Sequence, residues 1–306
     1  MDEIDFKILK IIDNNCRISY STIAEELDLS LRKVSQRLDS MIKDDVIKRF
    51  SVQINYNWLG LHHYIGSLNI SEEINIDYYY KNLQLIPEIN KIWHLLDGTL
   101  IISFFVKNNL HLEQLINSIS KSGASFNNYN EIVYNDSLQD LYTSTDWRII
   151  QFLMENSRAS NKEIAHSIGI SAKTVKRRIN RMINKNLIRF TPEINFEAIK
   201  GMFTALVSVK IVNSSKEVNN RIKNENTIKF WRISEILSQF TNVFIYGNNL
   251  KEIYEMFTEM KNRTYINDIK LSFIIKNWEN SIIINNAISE KLQYAVGFNY
   301  NKNLIN

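Results

Sequence analysis

Residues 156–183, NSRASNKEIAHSIGISAKTVKRRINRMI, hold the key to the whole chain. Ser160 with Glu163 three residues on is a capping box, in which a serine oxygen and a carboxylate each accept an otherwise unpaired N–H at a helix start. Gly169 suits the left-handed conformation that a tight turn after the helix requires. Ser171 caps the next helix, whose Val175, Ile179 and Met182 recur at the spacing of one helical face. Ala165 lets the two helices approach closely. Helix, three-residue turn, helix is the helix-turn-helix arrangement, and an earlier helix with Ile149, Ile150 and Leu153 completes the three-helix set. Ile188 to Asn195, which follow, suit a β-wing. Pro192 has no N–H for a ladder, so that strand is expected at an edge.

The same unit is written earlier in the chain. At an offset of 141, Asp5 meets Asp146, Arg17 meets Arg158, Ser19 meets Ser160, Ala24 meets Ala165, Ser30 meets Ser171, and Arg37 meets Arg178. Ile4, Ile8, Ile11 and Ile12 make the first helix; Ser19 caps the second, with Thr22 in place of the acid, so its box is incomplete. Asp28-Leu29-Ser30 is the turn, Val34, Leu38 and Met41 face inward, and Ile47 to Asn55 is the wing. The match continues downstream, where Leu112, Leu115, Ile116 and Ile119 fall on Ile253, Met256, Phe257 and Met260. The chain reads as a duplicated two-domain protomer, a dimer built into one chain, with further self-association left open.

Between and after the headpieces the periodicity changes. Tyr64–Ile70 is expected as a strand, Ile76–Leu85 as a helix ending near Pro87, 89–96 and 100–106 as a hairpin, 110–122 as a helix, and Tyr129–Tyr134 as a strand. The second copy repeats this over 203–212, 216–223, 228–234, 242–246, 250–263 and 266–275, with a tail from about Asn277. That order is βαββαβ, the ferredoxin-like sandwich. The expected fold class is α+β, with two winged helix-turn-helix domains (1–60 and 142–202) alternating with two ferredoxin-like domains (61–141, and 203–306 with its C-terminal tail).

At 306 residues the chain has room for several domains. Its single cysteine, Cys16, excludes an internal disulfide framework and any multi-cysteine metal site. His62 and His63 are strand neighbours that point to opposite faces, and no histidine has ligand spacing, so no metal or cofactor is expected. No apolar run reaches the roughly 18–20 residues that span a bilayer, and the acidic start MDEIDFKILK is unlike a signal peptide, so a cytoplasmic protein without a membrane partner is expected. The net charge of +4 is unevenly spread. Residues 142–200 carry 11 basic and 5 acidic side chains, whereas 1–60 carry 9 and 10. A local basic excess points to a polyanion partner.

The segments Ile4-Asp5-Phe6-Lys7-Ile8-Leu9, Asn15-Cys16-Arg17-Ile18-Ser19, Ile23-Ala24, Leu29-Ser30, Val34-x-x-Arg37-Leu38 and Val46-Ile47, repeated in the second copy, resemble the Lrp/AsnC family of transcription regulators. The resemblance implies sequence-specific binding of double-stranded DNA, pairing of αβ domains, and a small effector, often an amino acid, near a Gly/Asp hairpin. Only Asp97 and Gly98 answer to that hairpin; the bland reading is that Asp-Gly is simply a good turn. The expected DNA-facing set is Ser30, Arg32, Lys33, Ser35, Gln36 and Arg37 in the first copy. In the second it is Ser171, Lys173, Thr174, Lys176, Arg177 and Arg178, with Arg181 one turn on. Gln pairs with adenine and Arg with guanine in the major groove. Arg37 and Arg178 are equally suited to internal ion pairs with Asp5 and Asp146. Two readings compete with the regulator. Siroheme decarboxylases resemble the same fold, but here His94 stands alone and 61–141 holds no arginine. The other is a DNA-silent adaptor that binds protein through its αβ domains.

Overall fold

The computed structural model describes residues 1–71, 73–132, 142–185, 187–211, 220–222, 224, 228–237 and 240–302. Each headpiece starts with three helices: α1 (Glu3–Asn14), α2 (Tyr20–Glu26) and α3 (Leu31–Lys43), then α6 (Ser144–Glu155), α7 (Asn161–Ile168) and α8 (Ala172–Asn184). The capping box at Ser160 and Glu163 forms, and Ser19 caps α2 without one. Both first helices are also boxed, by Asp2 with Asp5 and by Thr143 with Asp146. The inward stripes Val34, Leu38 and Met41, and Val175, Ile179 and Met182, are buried. Burying each such side chain contributes on the order of 1.5–3 kcal/mol.

The expected wings form no hairpins of their own. β1 (Ile47–Ile54) pairs antiparallel with β6 (Ile188–Ile194) of the other copy, in a two-stranded ribbon. Its register puts Phe50 opposite Pro192 and Ser51 opposite Thr191. A shift of 141 turns one of these pairs into the other, so the ribbon sits on a pseudo-twofold axis. The same axis brings Cys16 Sγ to 3.8 Å from Ser157 Oγ, its own counterpart in the repeat. Arg17 Nη1 donates to the Ser157 carbonyl at 2.6 Å, and Arg158 Nη2 to that of Ile18 at 3.5 Å. The two headpieces share one continuous apolar core.

The αβ regions form two sheets. In the first, β2 (His62–Ile70), β3 (Ile89–Leu95), β4 (Leu100–Val106) and β5 (Ala124–Glu131) run in the order β3-β4-β2-β5, covered by α4 (Ile76–Leu83) and α5 (Asn109–Lys121). In the second, β7 (Phe203–Ile211), β8 (Phe230–Leu237), β9 (Phe240–Gly247) and β10 (Ile266–Ser272) run β10-β7-β9-β8, with α9 (Leu250–Lys261) packed against them. Both orders are those of the ferredoxin-like fold. β5 starts at Ala124, earlier than the expected Tyr129: Gly123, at φ +92°, turns the chain directly into an edge strand whose exposed Asn127 and Asn128 hide the apolar alternation. The expected end of that strand at 133–134 lies outside the described residues, as does most of the helix expected over 216–223.

The stretch from Ile274 corrects the expected tail. The strand over 266–275 breaks at Phe273, whose carbonyl accepts the Leu96 N–H at 2.9 Å. Beyond it, β11 (Ile274–Glu279) crosses to the first αβ sheet and pairs antiparallel with β3. Thus 203–306 is not a self-contained module with a loose end. α10 (Ile282–Lys302) follows and buries Ile284, Ala287 and Ile288 where it packs on α6 and the 3-10 turn Tyr56–Leu59.

Candidate nucleic-acid interface

The two turns fix the angle between the paired helices. Gly169 adopts φ +70°, and Asp28, an L residue, adopts φ +52° at the same place. In each turn a backbone bond closes the loop, Leu29 N–H to the Ala24 carbonyl at 2.8 Å and Ile170 N–H to that of Ala165 at 3.1 Å. Ser30 and Ser171 then accept the N–H groups of Lys33 and Thr174, at 3.3 and 3.1 Å. Both serines are exposed at helix N-termini, where phosphate oxygens are favoured.

With the inward stripe buried, Arg32, Lys33 and Gln36 of α3 and Lys173, Lys176 and Arg177 of α8 are exposed, and Ser35 and Thr174 half-buried. None of these five cations has a carboxylate within salt-bridge distance among the described residues. Three expected readers are not free to read. Arg37 Nη1 lies 2.7 Å from Asp5 and 2.8 Å from Asp2. Arg178 Nη1 lies 3.1 Å from Asp146 Oδ1, and Arg181 Nη2 2.8 Å from its Oδ2. These guanidiniums tie the third helix of each headpiece to the first. Burial works against the charge on Arg37, but the hydrogen bonds it donates to Asp5 and Asp2 outweigh it and raise its pKa. Asp2, against some burial, is held below the usual carboxylate range by the Asp5 N–H and Arg37.

The exposed faces of α3 and α8 differ in charge balance. On α3, Ser35 donates to Asp39 at 3.2 Å and Ser40 to Asp44 at 3.0 Å, so carboxylates share the helix with the cations. On α8 the same positions are Asn180 and Lys185. The exposed charge is all positive along α8 and mixed along α3.

The other singled-out residues have structural partners. Gly98 takes φ +82° in the β3–β4 turn; Asp97 accepts the Thr99 N–H at 3.0 Å and pairs with Lys270 of the second αβ domain at 3.1 Å. His62 pairs with Glu131, while His63 turns inward to Ser103 at 2.6 Å, where burial lowers its pKa to about 3. His94 is buried, and its Nδ1 has no hydrogen-bond partner among the described residues. No group of three or more His, Cys, Asp or Glu able to hold a metal occurs among the described residues. Cys16 is buried, which pushes its thiol up to about 11. Sequence reasoning passed over Asp2 and Thr143 as caps, although each stands three residues before an aspartate.

Known proteins resemble the chain in these same segments. The profile of the winged helix-turn-helix DNA-binding family matches residues 1–48 and again 143–189. Two segments of the chain are thus each similar to that DNA-binding domain. The transcriptional regulator LysM of Sulfurisphaera tokodaii is 46% identical over 52 residues, which are 17% of this chain and 37% of that protein. The transcriptional regulator Rv2324 of Mycobacterium tuberculosis is 26% identical over 152 residues, 49% of this chain and 96% of that one. The chain thus spans little more than a third of LysM. The crystal structure of the siroheme decarboxylase NirDL shares the fold from end to end, at a TM-score of 0.51 and 15% identity, covering 97% of this chain and all of that one. No helix among the described residues is long and apolar enough to cross a membrane.

Proposed function

We propose that the chain is a sequence-specific DNA-binding transcriptional regulator that carries two unequal reading heads in one polypeptide. The observation that carries this reading is the face of α8, where Lys173, Lys176 and Arg177 stand exposed and, among the described residues, without acidic partners beside the capping Ser171. In this reading α8 supplies most of the electrostatic affinity. α3 adds Ser30, Arg32, Lys33, Ser35 and Gln36, with Gln36 positioned for base contact. Arg37, Arg178 and Arg181 serve as positioning residues that fix the angle of each reading helix.

Each phosphate neutralised adds about 0.9 to the slope of log affinity against log salt. The double substitution Lys176→Ala with Arg177→Ala is expected to flatten that slope by about 1.8, and Arg32→Ala with Lys33→Ala by less. Fluorescence anisotropy on a duplex across a salt series measures both. An unchanged slope for the α8 variant removes the assignment. Failure of the intact chain to bind random duplex at low salt favours the adaptor instead. The hairpin carboxylate Asp97 is engaged by Thr99 and Lys270, which supports a turn and an interdomain clasp there rather than an effector contact. An enzyme on this fold rests on His94 alone, and porphyrin absorbance in the purified protein is its test.

A further inference from the structure

Beside the N-terminal half of α1, the first headpiece has an open groove of about 380 Å³, within the range of small-molecule sites. Ile4, Leu29, Met41 and Val46 give it apolar walls. Asp5, Arg37, Ser40 and Asp44 line it as well, as do Lys33 and Gln36 of α3.

The second headpiece shows what such a place accepts. The residue 141 positions after Ser40 is Arg181. Its guanidinium lies on Asp146, which Arg178 also holds, and the Asp146 side chain is 0% exposed. In the first headpiece Asp5 has only one of these two arginines. Arg37 takes its Oδ1 at 2.7 Å, and the Asp2 N–H takes its Oδ2 at 2.9 Å. The Asp5 side chain keeps 12% of its surface exposed, and the Ser40 hydroxyl turns to Asp44 instead. Charge changes with size. Where the second headpiece sets Arg178 and Arg181 against one aspartate and carries Lys185 just past the helix, the first sets Asp2 and Asp5 against Arg37 and carries Asp44 at that place, bonded by Ser40. Lys33 lines the groove too, and the Met1 amino group is occupied by the Lys200 carbonyl at 2.6 Å.

We propose that this groove binds a small cationic amphiphile of the alkylguanidinium class, whose head takes the place that Arg181 fills in the other copy. The head meets Asp5 and Asp44, which planar guanidinium donors suit. The alkyl body covers Ile4, Leu29, Met41 and Val46. An occupant touches Lys33 and Gln36, so it competes with a duplex for the same helix; this last step rests on the function proposed above.

The test uses the full chain and n-butylguanidinium, with calorimetry in the absence of DNA. Saturable binding at one site is expected. Ser40→Ala keeps it, whereas Ser40→Arg, which supplies the guanidinium in cis, weakens it at least tenfold. Asp44→Lys, copying Lys185 at an exposed position, weakens it likewise and covers the case in which Ser40→Arg does not fold. The uncharged isostere n-butylurea binds at least tenfold more weakly. Equal binding by the Ala and Arg variants, equal binding of n-butylurea, or no saturable binding at millimolar probe overturns the site. In the presence of duplex, the probe lowers DNA affinity for the wild type and not for Ser40→Arg. A chain that binds the probe but binds no duplex even when the probe is absent counts against the regulator reading and not against the groove.

Discussion

The two headpieces share a helical plan, yet they are clamped and docked differently. In the second, one fully buried aspartate, Asp146, is held by two arginines and by Thr143. In the first, two carboxylates that water reaches, Asp2 and Asp5, share one arginine. The first headpiece also lies directly on the second αβ domain. Phe6 stacks on Tyr246 at 4.4 Å, the Lys10 ammonium sits 3.7 Å over Phe230, and Asp13 takes Arg232 at 2.7 Å. The second headpiece packs against α10 instead. β11 covers the outer edge of β3, whereas the corresponding strand β8 lies against α1. A duplicated sequence therefore need not give duplicated surroundings: the extra strand and helix after the second copy break the symmetry that the ribbon keeps.

Substitutions that act on one copy sharpen or break this contrast. The largest effect is expected at Asp146. Asp146→Ala strands two guanidiniums and costs about 3–5 kcal/mol, as does breaking other buried pairs. Asp5→Ala, with Asp2 still beside Arg37 and solvent near, costs about 1–3 kcal/mol. Urea denaturation of both variants measures the difference, and equal losses would show that the clamps are equivalent.

Next comes the strap. Asn277 donates to the Ile194 carbonyl at 2.9 Å and accepts the Phe196 N–H at 3.0 Å, tying β11 to the segment after the ribbon. Asn277→Ala leaves both backbone groups unpaired and costs about 1–3 kcal/mol. Hydrogen exchange should then speed up along β3 and β11 and stay unchanged in β8.

The turns give a smaller effect with opposite signs. Asp28 carries the left-handed conformation at a cost of about 1–2 kcal/mol that glycine does not bear. Asp28→Gly is expected to stabilise the first headpiece by up to about 1 kcal/mol, and Gly169→Asp to destabilise the second by a similar amount. Thermal melts check both. The smallest change is at the axis. Because burial pushes the Cys16 thiol up to about 11, its reaction with a disulfide reagent at pH 8 should be slow in the folded protein and fast in urea.

The helix-turn-helix units were legible because all their signals are local. Serine caps, a turn residue that tolerates positive φ and the 3.6-residue stripe lie within about thirty residues, and each appears where it was expected. Strand existence was legible in Leu100–Val106, whose bounds match, and less so in β5, where exposed asparagines interrupt the alternation. Strand partners were not legible. Ile47–Ile54 has the same period-two pattern whether it folds back as a wing or pairs with Ile188–Ile194 of the other copy, and only the register of the assembled chain chooses. The reading set was legible in part. For Arg37 and Arg178 the sequence left groove contact and ion pairs with Asp5 and Asp146 equally open, and the ion pairs form; nothing in it pointed to the third pair, Arg181 with Asp146.

By itself the order of amino acids determined that there are two three-helix heads, two βαββαβ units, and a surplus of positive charge on the later head. Those follow from propensity, periodicity and composition, which act over short stretches of chain. Only the folded molecule decided that the heads exchange strands across an axis, that the last strand serves the first sheet, and which arginines remain available to a ligand. Such choices depend on groups more than a hundred residues apart competing for the same hydrogen bonds and the same apolar surface, and no local pattern records who wins.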